Sequence, residues 1–578
     1  MRNVLISALG FCVALAVALS PAAGAQPADQ PIAVISFAGY DALKRDGQLI
    51  AEALGQPDAI QKLEMFLVMA TQGRGLAGLD KTRPWGVVIT AIGPPPAGYL
   101  FLPVTDLAPL VALAAGMGGR GRQPPQPVDG VYEIPAGEQK LYATQKGQWA
   151  LVANDRSMLS KAPADPGGLL GGLGKQYLLA ARVHVKNIPA PLKQTFIDLN
   201  RSASQQQGAD LAAQFPWLEA IRARMAERRV REIERMINET DTLTLGLAVD
   251  PSTKSLHVDF IQTAIPGTTM AELYKELADT RSDFGGFFDA DAPFSVHTSG
   301  KMAPNDIEAV RQLVAEFRAK ALKDIRDQEL SDSEKAAASQ FVNQLLDVVD
   351  ATAEGGRSDF GLSLRFASGA VTLVAGLHIE KGDTLDQVVK RLANMMTREQ
   401  PALAERVKLD AEQRAGVSFH TLTLPAEVLG ENGPPPELFG GDLTVVLGIG
   451  PQTLCLAVGA NALESLKQAL EGSQAAGTGT VPPVRFSASL SSLADLVQAV
   501  APELPPGAAE AVLAAMKQAA PRDHIRGTSK AVPNGVHGRM EVEEGVIKAV
   551  AAIARNVQQM IGPAGVQIGP AGGGFGPP

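Results

Sequence analysis

The sequence predicts an α+β protein of two tandem similar domains. Each should be a mainly antiparallel sheet flanked by helical hairpins, produced by internal duplication. Three observations carry this expectation. The stretch "GLAVDPSTKSLHVDFIQTAIPGTTMAELYKELA" (residues 246–278) lies without a gap over "GLSLRFASGAVTLVAGLHIEKGDTLDQVVKRLA" (residues 361–393). Gly246/Gly361, Leu247/Leu362, Gly267/Gly382, Thr269/Thr384, Lys275/Lys390, Leu277/Leu392 and Ala278/Ala393 coincide. A module of strand, helical hairpin, two-stranded ribbon and helix also recurs, and its ribbons alternate apolar and polar residues as half-covered strands do. Finally, similar strand-rich inserts stand at corresponding places in both halves. A fixed period can mean a solenoid, but the inserts break the period and favour two α+β domains.

Taken in order, the chain opens "MRNVLISALGFCVALAVALSPAAGAQPADQ". Arg2, the apolar run 4–19 and the small residues Ala23-Gly24-Ala25 read as a secretory signal peptide, residues 1–25. The run is shorter than the ~20 apolar residues of a spanning helix, and Cys12 within it has no lipobox around it. The first domain is expected over 26–290. It starts with "PIAVISFAGY", helices around 41–69, the ribbon "WGVVITAIGPPPAGYLFLPV" and a helix near Asp106. An insert follows, "VYEIPAGEQKLYATQKGQWALVANDRSMLSKA". The second module has "YLLAARVHV", a hairpin over about 191–237, the ribbon "TLTLGLAVD"/"SLHVDFIQ" and a helix near Thr268.

The second domain is expected over 291–561. It opens with "PFSVHTSGKM", helices over 305–330 and 332–353, the ribbon "FGLSLRFA"/"AVTLVAGLHI" and a helix near Asp383. After an insert containing "LTVVLGIGPQTLCLAVG", the fourth module is "VRFSASLSSLADLVQAV", a helix near 508–519 and "NGVHGRMEVEEGVIKAVAAIARNVQQM". The tail 562–578 is glycine and proline with almost nothing to bury, so it should be disordered.

The helices carry their own signals. Ile307, Val310, Val314, Phe317, Ala321 and Ile325 form one apolar stripe. Ser331 and Glu334 have capping-box spacing, although Ser333 offers an alternative cap. Arg222, Arg224, Arg228, Arg229, Arg231 and Arg235 interleave with Glu219, Glu227, Glu232 and Glu234. That pattern reads as a solvated, charge-laced helix rather than an anion site.

Composition narrows the partners. A net charge of −9 argues against nucleic acid and anionic membranes, and 5% aromatic residues disfavour base or sugar stacking. Without the signal peptide only Cys455 remains, so no intramolecular disulfide can form. Its neighbours Leu454, Leu456 and Val458 mark it as a small buried hydrophobe.

Motifs for catalysis are missing. "GMGGRG" (116–121) matches a dinucleotide fingerprint only formally, because it follows a helix and runs into "RQPPQP". In "GGLLGGLGKQ" Leu169 stands for the first glycine of a phosphate loop and Gln176 for its Ser/Thr. His184, His257, His297, His378, His420 and His537 fall on or beside strands, without H-x-H, H-x-x-x-H or H-E-x-x-H spacing. No G-x-S-x-G elbow or Cys/His pair is present, and the carboxylates are scattered. No catalytic, cofactor-binding or metal residue is therefore assigned. His184 and His297 share a "VH" position in their modules, and exchanging either for Gln should cost less than about 1 kcal/mol. Gly267 and Gly382 should ease the passage from strand to helix, while Leu247, Leu362, Leu277 and Leu392 should fill the cores.

With its repeated ribbon-helix modules, Ala-rich helices, signal peptide and Gly/Pro tail, the chain resembles uncharacterised secreted bacterial proteins of a domain-of-unknown-function type. The resemblance implies no activity and no functional residues. The function expected is that of an exported, non-catalytic binding or structural protein of the cell envelope, periplasmic or secreted. It would have a protein or apolar-ligand partner, no nucleic acid and no integral membrane segment after signal cleavage. The alternatives are a periplasmic carrier of an apolar ligand, held between sheet and helices, and a hydrolase without a recognisable motif.

Overall fold

The structure is a computed structural model and describes residues 30–561 except 72, 94–95, 118–124, 137–138, 207–217, 368, 426–435, 478 and 501–507. The expected signal peptide, the tail and most of the "GMGGRG" loop lie outside the described residues.

Each module forms as the alternation of its residues dictates. The first has β1 (Ala33–Phe37), helices Tyr40–Ala53 and Ala59–Ala70, β2 (Trp85–Ala91), β3 (Ala97–Pro103) and helix Ala108–Met117. Its insert gives β4 (Val131–Ala136), β5 (Gln139–Lys146), β6 (Trp149–Ala153) and helix Arg156–Lys161. The second module has β7 (Leu179–His184), helices Ala190–Gln206 and Leu218–Glu239, β8 (Thr240–Asp250), β9 (Ser255–Ala264) and helix Thr269–Glu276. The third has β10 (Phe294–Lys301), helices Pro304–Asp327 and Asp332–Gly355, β11 (Arg357–Ala367), β12 (Ala370–His378) and helix Gly382–Glu399. Its insert gives β13 (Val407–Arg414), β14 (Val417–Leu424), β15 (Leu443–Gly450), β16 (Thr453–Gly459) and helix Ala462–Ala476. The fourth has β17 (Val484–Ser489), helices Leu490–Val500 and Ala508–Lys517, β18 (His524–Val532), β19 (Gly535–Val542) and helix Glu544–Ile561. Ser331 is the cap that folds, closing a complete capping box with Glu334.

The 19 strands of the described residues all join one antiparallel sheet. From one edge the order is β4-β5-β6-β3-β2-β1-β7-β8-β9, and it continues as β19-β18-β17-β10-β11-β12-β16-β15-β14-β13. Leading strand, ribbon and insert follow in the same order on both sides of the β9–β19 pairing. The sheet runs unbroken through both sides of the boundary expected near residue 290. The outer strands are poor templates for further pairing: β4 carries Glu133 and Pro135, and β13 is charged and bulged between Lys408 and Glu412. No helix among the described residues is long and apolar enough to cross a membrane.

Adjacent residues of a strand face opposite sides, so each face has its own cores. On one, Ala33, Val183, Leu243 and Phe260 pack under helix Ala190–Gln206 through Leu192 and Phe196. Val348 and Leu385 of the third module make the corresponding contact with Ile449 of its insert. On the other face, Val34, Val88, Phe101 and Leu151 meet Met158 and Leu159 of the first insert. Phe284, Phe287, Val374 and Cys455 meet Leu466 and Leu470 of the second. Burial pushes the Cys455 thiol up to about 12, which leaves it inert as a nucleophile.

The matched residues divide by role. Gly246 and Gly361 are buried where an aromatic residue presses on the sheet, the Tyr177 ring on the first and Phe287 Cβ on the second. A Cβ on Gly246 would lie 2.5 Å from the Tyr177 ring, and one on Gly361 2.6 Å from Phe287 Cβ. Gly267 takes a positive φ of 82° before its helix, whereas Lys381 takes that role (φ 57°) one residue ahead of Gly382. Gly382 is needed for another reason, because a Cβ there would lie 1.8 Å from the Gly450 carbonyl oxygen. Leu247, Leu362, Leu277 and Leu392 are only half-buried, contrary to expectation. The helices of that face cover these sheet rows incompletely, as the exposure of Leu179 and Phe294 also records. Phe317 likewise leaves the core and is 46% exposed, because the long hairpin 304–355 outruns the sheet beneath it.

Candidate functional site

The register places Phe101, Gly86, Ser36, Ala180, Gly246, Asp259, Arg539, Thr528, Arg485, His297, Gly361, Gly376 and Cys455 in one row across the sheet. The middle of this row is polar, and two clusters of buried titratable residues are built on it, around His297 and around Asp259. The row also corrects the matched histidines. His297 faces Gly361, but Ala180 faces Gly246, and His184 sits at the strand end opposite Thr242. The "VH" match is therefore not a structural equivalence.

His297 is fully buried and forms a serine–histidine–aspartate constellation that spacing did not disclose. Ser282 Oγ donates to Asp359 Oδ1 at 2.7 Å and accepts from the Phe284 N–H at 2.9 Å. With its only proton so committed, it lies 2.7 Å from His297 Nε2 as an acceptor. Burial, then the nearby Arg485 charge, lowers the imidazole to about 4, so His297 is neutral. A nucleophilic triad needs the opposite wiring, with the carboxylate on Nδ1 and the hydroxyl proton directed to Nε2. Here Nδ1 has no partner and the carboxylate takes the hydroxyl directly. Asp359 is further tied to the Asp283 N–H at 2.8 Å and Arg357 at 2.7 Å. The cluster clamps the segment before β10 onto β10 and β11 and leaves no hydroxyl free to attack.

This network revises the cost expected of changing His297. Ser282→Ala or His297→Gln should lower stability by about 1–3 kcal/mol, because each leaves a buried group without its bond. His184→Gln should stay below about 1 kcal/mol. Chemical denaturation of the three variants checks this, and equal midpoints would refute it.

The second cluster spans the seam. Arg539 donates to Asp259 Oδ1 and Oδ2, both at 2.7 Å, and the Tyr177 hydroxyl donates to Oδ2 at 3.0 Å. His537 Nε2 lies 3.1 Å from the same oxygen. Burial alone would raise this carboxyl, but Arg539, His537 and Tyr177 outweigh it and hold it well below the usual carboxylate range.

Two further groups resemble metal sites. In the first, the Asp410 N–H donates to His420 Nδ1 (3.1 Å) and His420 Nε2 donates to Asp386 Oδ1 (2.8 Å). Lys390 Nζ lies 2.9 Å from Asp386 and 2.8 Å from Asp410, so an ammonium already occupies the place of a cation. The bonds to Asp410 and Asp386 raise its pKa and keep it charged. In the second, Asp523, His524 and Glu543 bring three ligand atoms together. Sequence reasoning missed both groups, since their members are joined by strand pairing rather than spacing. One signal was present: a hairpin register pairing Ile525 with Val542 must set His524 beside Glu543.

Comparison of the chain with family models, curated proteins and solved structures finds no match.

Proposed function

We propose that this chain is an exported, non-catalytic binding protein of the cell envelope that docks a partner protein. The observation that carries this reading is the helix Ala59–Ala70. It leaves Leu63, Met65, Phe66, Val68 and Met69 half or more exposed on a segment of three turns. Large apolar side chains gathered in this way mark contact sites, because water around them is released when a partner covers them. Glu64 is paired with Lys44 at 2.6 Å, which leaves the neighbouring surface with little net charge to repel a protein.

The closed wiring of Ser282, His297 and Asp359 supports a role without catalysis. The apolar-carrier reading draws less support. A groove among the described residues, lined by Leu49, Ile50, Val249, Leu256 and Ile547 together with Glu52, Lys254, Ser255 and Glu544, has room for about one water molecule. Internal duplication accounts for the architecture: the shared sequence of ribbon, leading strands, ribbon and insert outward from β9–β19, with three insert strands on one side and four on the other, and the matched buried glycines Gly246 and Gly361 support it.

A photo-reactive residue placed at Phe66 in the producing cell tests the docking. A cross-link to one defined polypeptide is expected there and none at the exposed polar Thr528. Phe66→Asp together with Met69→Asp should abolish the association while the denaturation midpoint holds. Silence at Phe66, or an unaltered association in the charged variant, refutes the proposal.

A further inference from the structure

We propose that Asp523, His524 and Glu543 bind one divalent transition-metal ion of the zinc class, at the open end of the β18–β19 ribbon. Asp523 precedes β18, His524 begins it, and Glu543 follows the last residue of β19, so the hairpin itself assembles the set. His524 Nδ1 lies 3.2 Å from Asp523 Oδ1 and 3.6 Å from Glu543 Oε2. Ligands at bonds of about 2.1 Å around a tetrahedral ion stand about 3.4 Å apart, so the two separations bracket the edge of such a tetrahedron.

The ligands are held from behind. Asp523 Oδ2 accepts from the Ser489 hydroxyl (2.9 Å), the Ser491 N–H (2.7 Å) and the Ser491 hydroxyl. All three bonds fall on one oxygen, which leaves Oδ1 facing His524. Glu543 Oε2 accepts the His524 N–H at 3.0 Å, and Arg526 binds the other oxygen. Such supporting bonds orient metal ligands and cut the cost of gathering them.

A second observation points to a ligand. Both ring nitrogens of His524 are shut from solvent, and neither makes a hydrogen bond. A simple ion pair would aim an Nδ1–H at Asp523 and satisfy it, but the geometry here does not. The contrast with His420 is direct, because there both nitrogens are bonded and Lys390 supplies the positive charge. The side chains of His524 and Glu543 remain 15% and 17% exposed, which gives an ion a path in and a place for one water ligand. Histidine with two carboxylates suits zinc, and cobalt can report on it.

The test uses full-length protein freed of metal by chelator and titrated with Zn²⁺ and Co²⁺. One equivalent per chain is expected, with visible absorption of tetrahedral Co²⁺ and a higher denaturation midpoint in zinc. His524→Gln should lose affinity by more than about 100-fold, beyond the loss caused by removing a merely supporting hydrogen bond. His420→Gln should bind as wild type does. Should His524→Gln fail to fold, Glu543→Gln decides by the same criterion. Absence of stoichiometric binding by wild type, or undiminished binding after either ligand change, overturns the proposal.

Discussion

Replacing Asp259 by alanine should cost about 3 kcal/mol of stability, the low end for breaking a buried ion pair because Arg539 is half solvated. The loss has two parts: Arg539 forfeits a bidentate partner, and the Tyr177 hydroxyl loses its acceptor beneath the sheet surface. Acid should reproduce the effect in the unaltered chain. The folded pKa of Asp259 lies below its unfolded value of about 3.9, so its contribution is complete above that pH and is lost as pH falls toward the folded value. Denaturation midpoints of wild type and Asp259→Asn measured from pH 6 downward separate the contribution. The two should converge below pH ~4, and parallel curves throughout would remove Asp259 from its role at the seam.

Phe287→Ala should cost about 3–5 kcal/mol, the range for truncating a buried aromatic. Its ring is fully buried, packs beside Phe284 and lies over Gly376, while its Cβ rests on Gly361. Those glycines leave the sheet flat enough for the ring, so truncation opens a cavity that the backbone beneath cannot fill. The reciprocal change, Gly376→Ala, should cost about 1–3 kcal/mol by overpacking, since its Cβ would lie 2.7 Å from both Phe284 Cδ1 and Phe287 Cζ. Combining Phe287→Ala with Gly376→Ala should cost less than the sum, because the Phe287 ring atoms that the added methyl would meet are then gone. Strict additivity in a double-mutant cycle would show that ring and glycine do not share this site.

The modules were legible because their signals are local. Alternation marked the ribbons, Ser331 and Glu334 marked a helix start, and the gapless match flagged Gly246 and Gly361 before any reason for them was visible. The union of the modules was not legible. β9 and β19 are paired although Asp259 and Arg539 are far apart in sequence, and the alternation of each strand is satisfied by any partner. The polar clusters escaped for the same reason: Ser282, His297 and Asp359 come from a loop and two strands, and only the register brings them together. Phe317 misled because a helical stripe reports one face but not how far the sheet beneath it extends.

The β9–β19 pairing inverts the order of synthesis. Of the described strands the last in sequence occupies the middle of the finished sheet, so neither flank can find its neighbour until β19 has been made. Until then β9 stands as a bare edge, with its N–H and C=O groups open to any passing strand. Such late, distant closure slows folding and lengthens the time at risk. A chain cut short before Gly535 would keep most of its residues yet be left in two leaves, with a fresh edge on each.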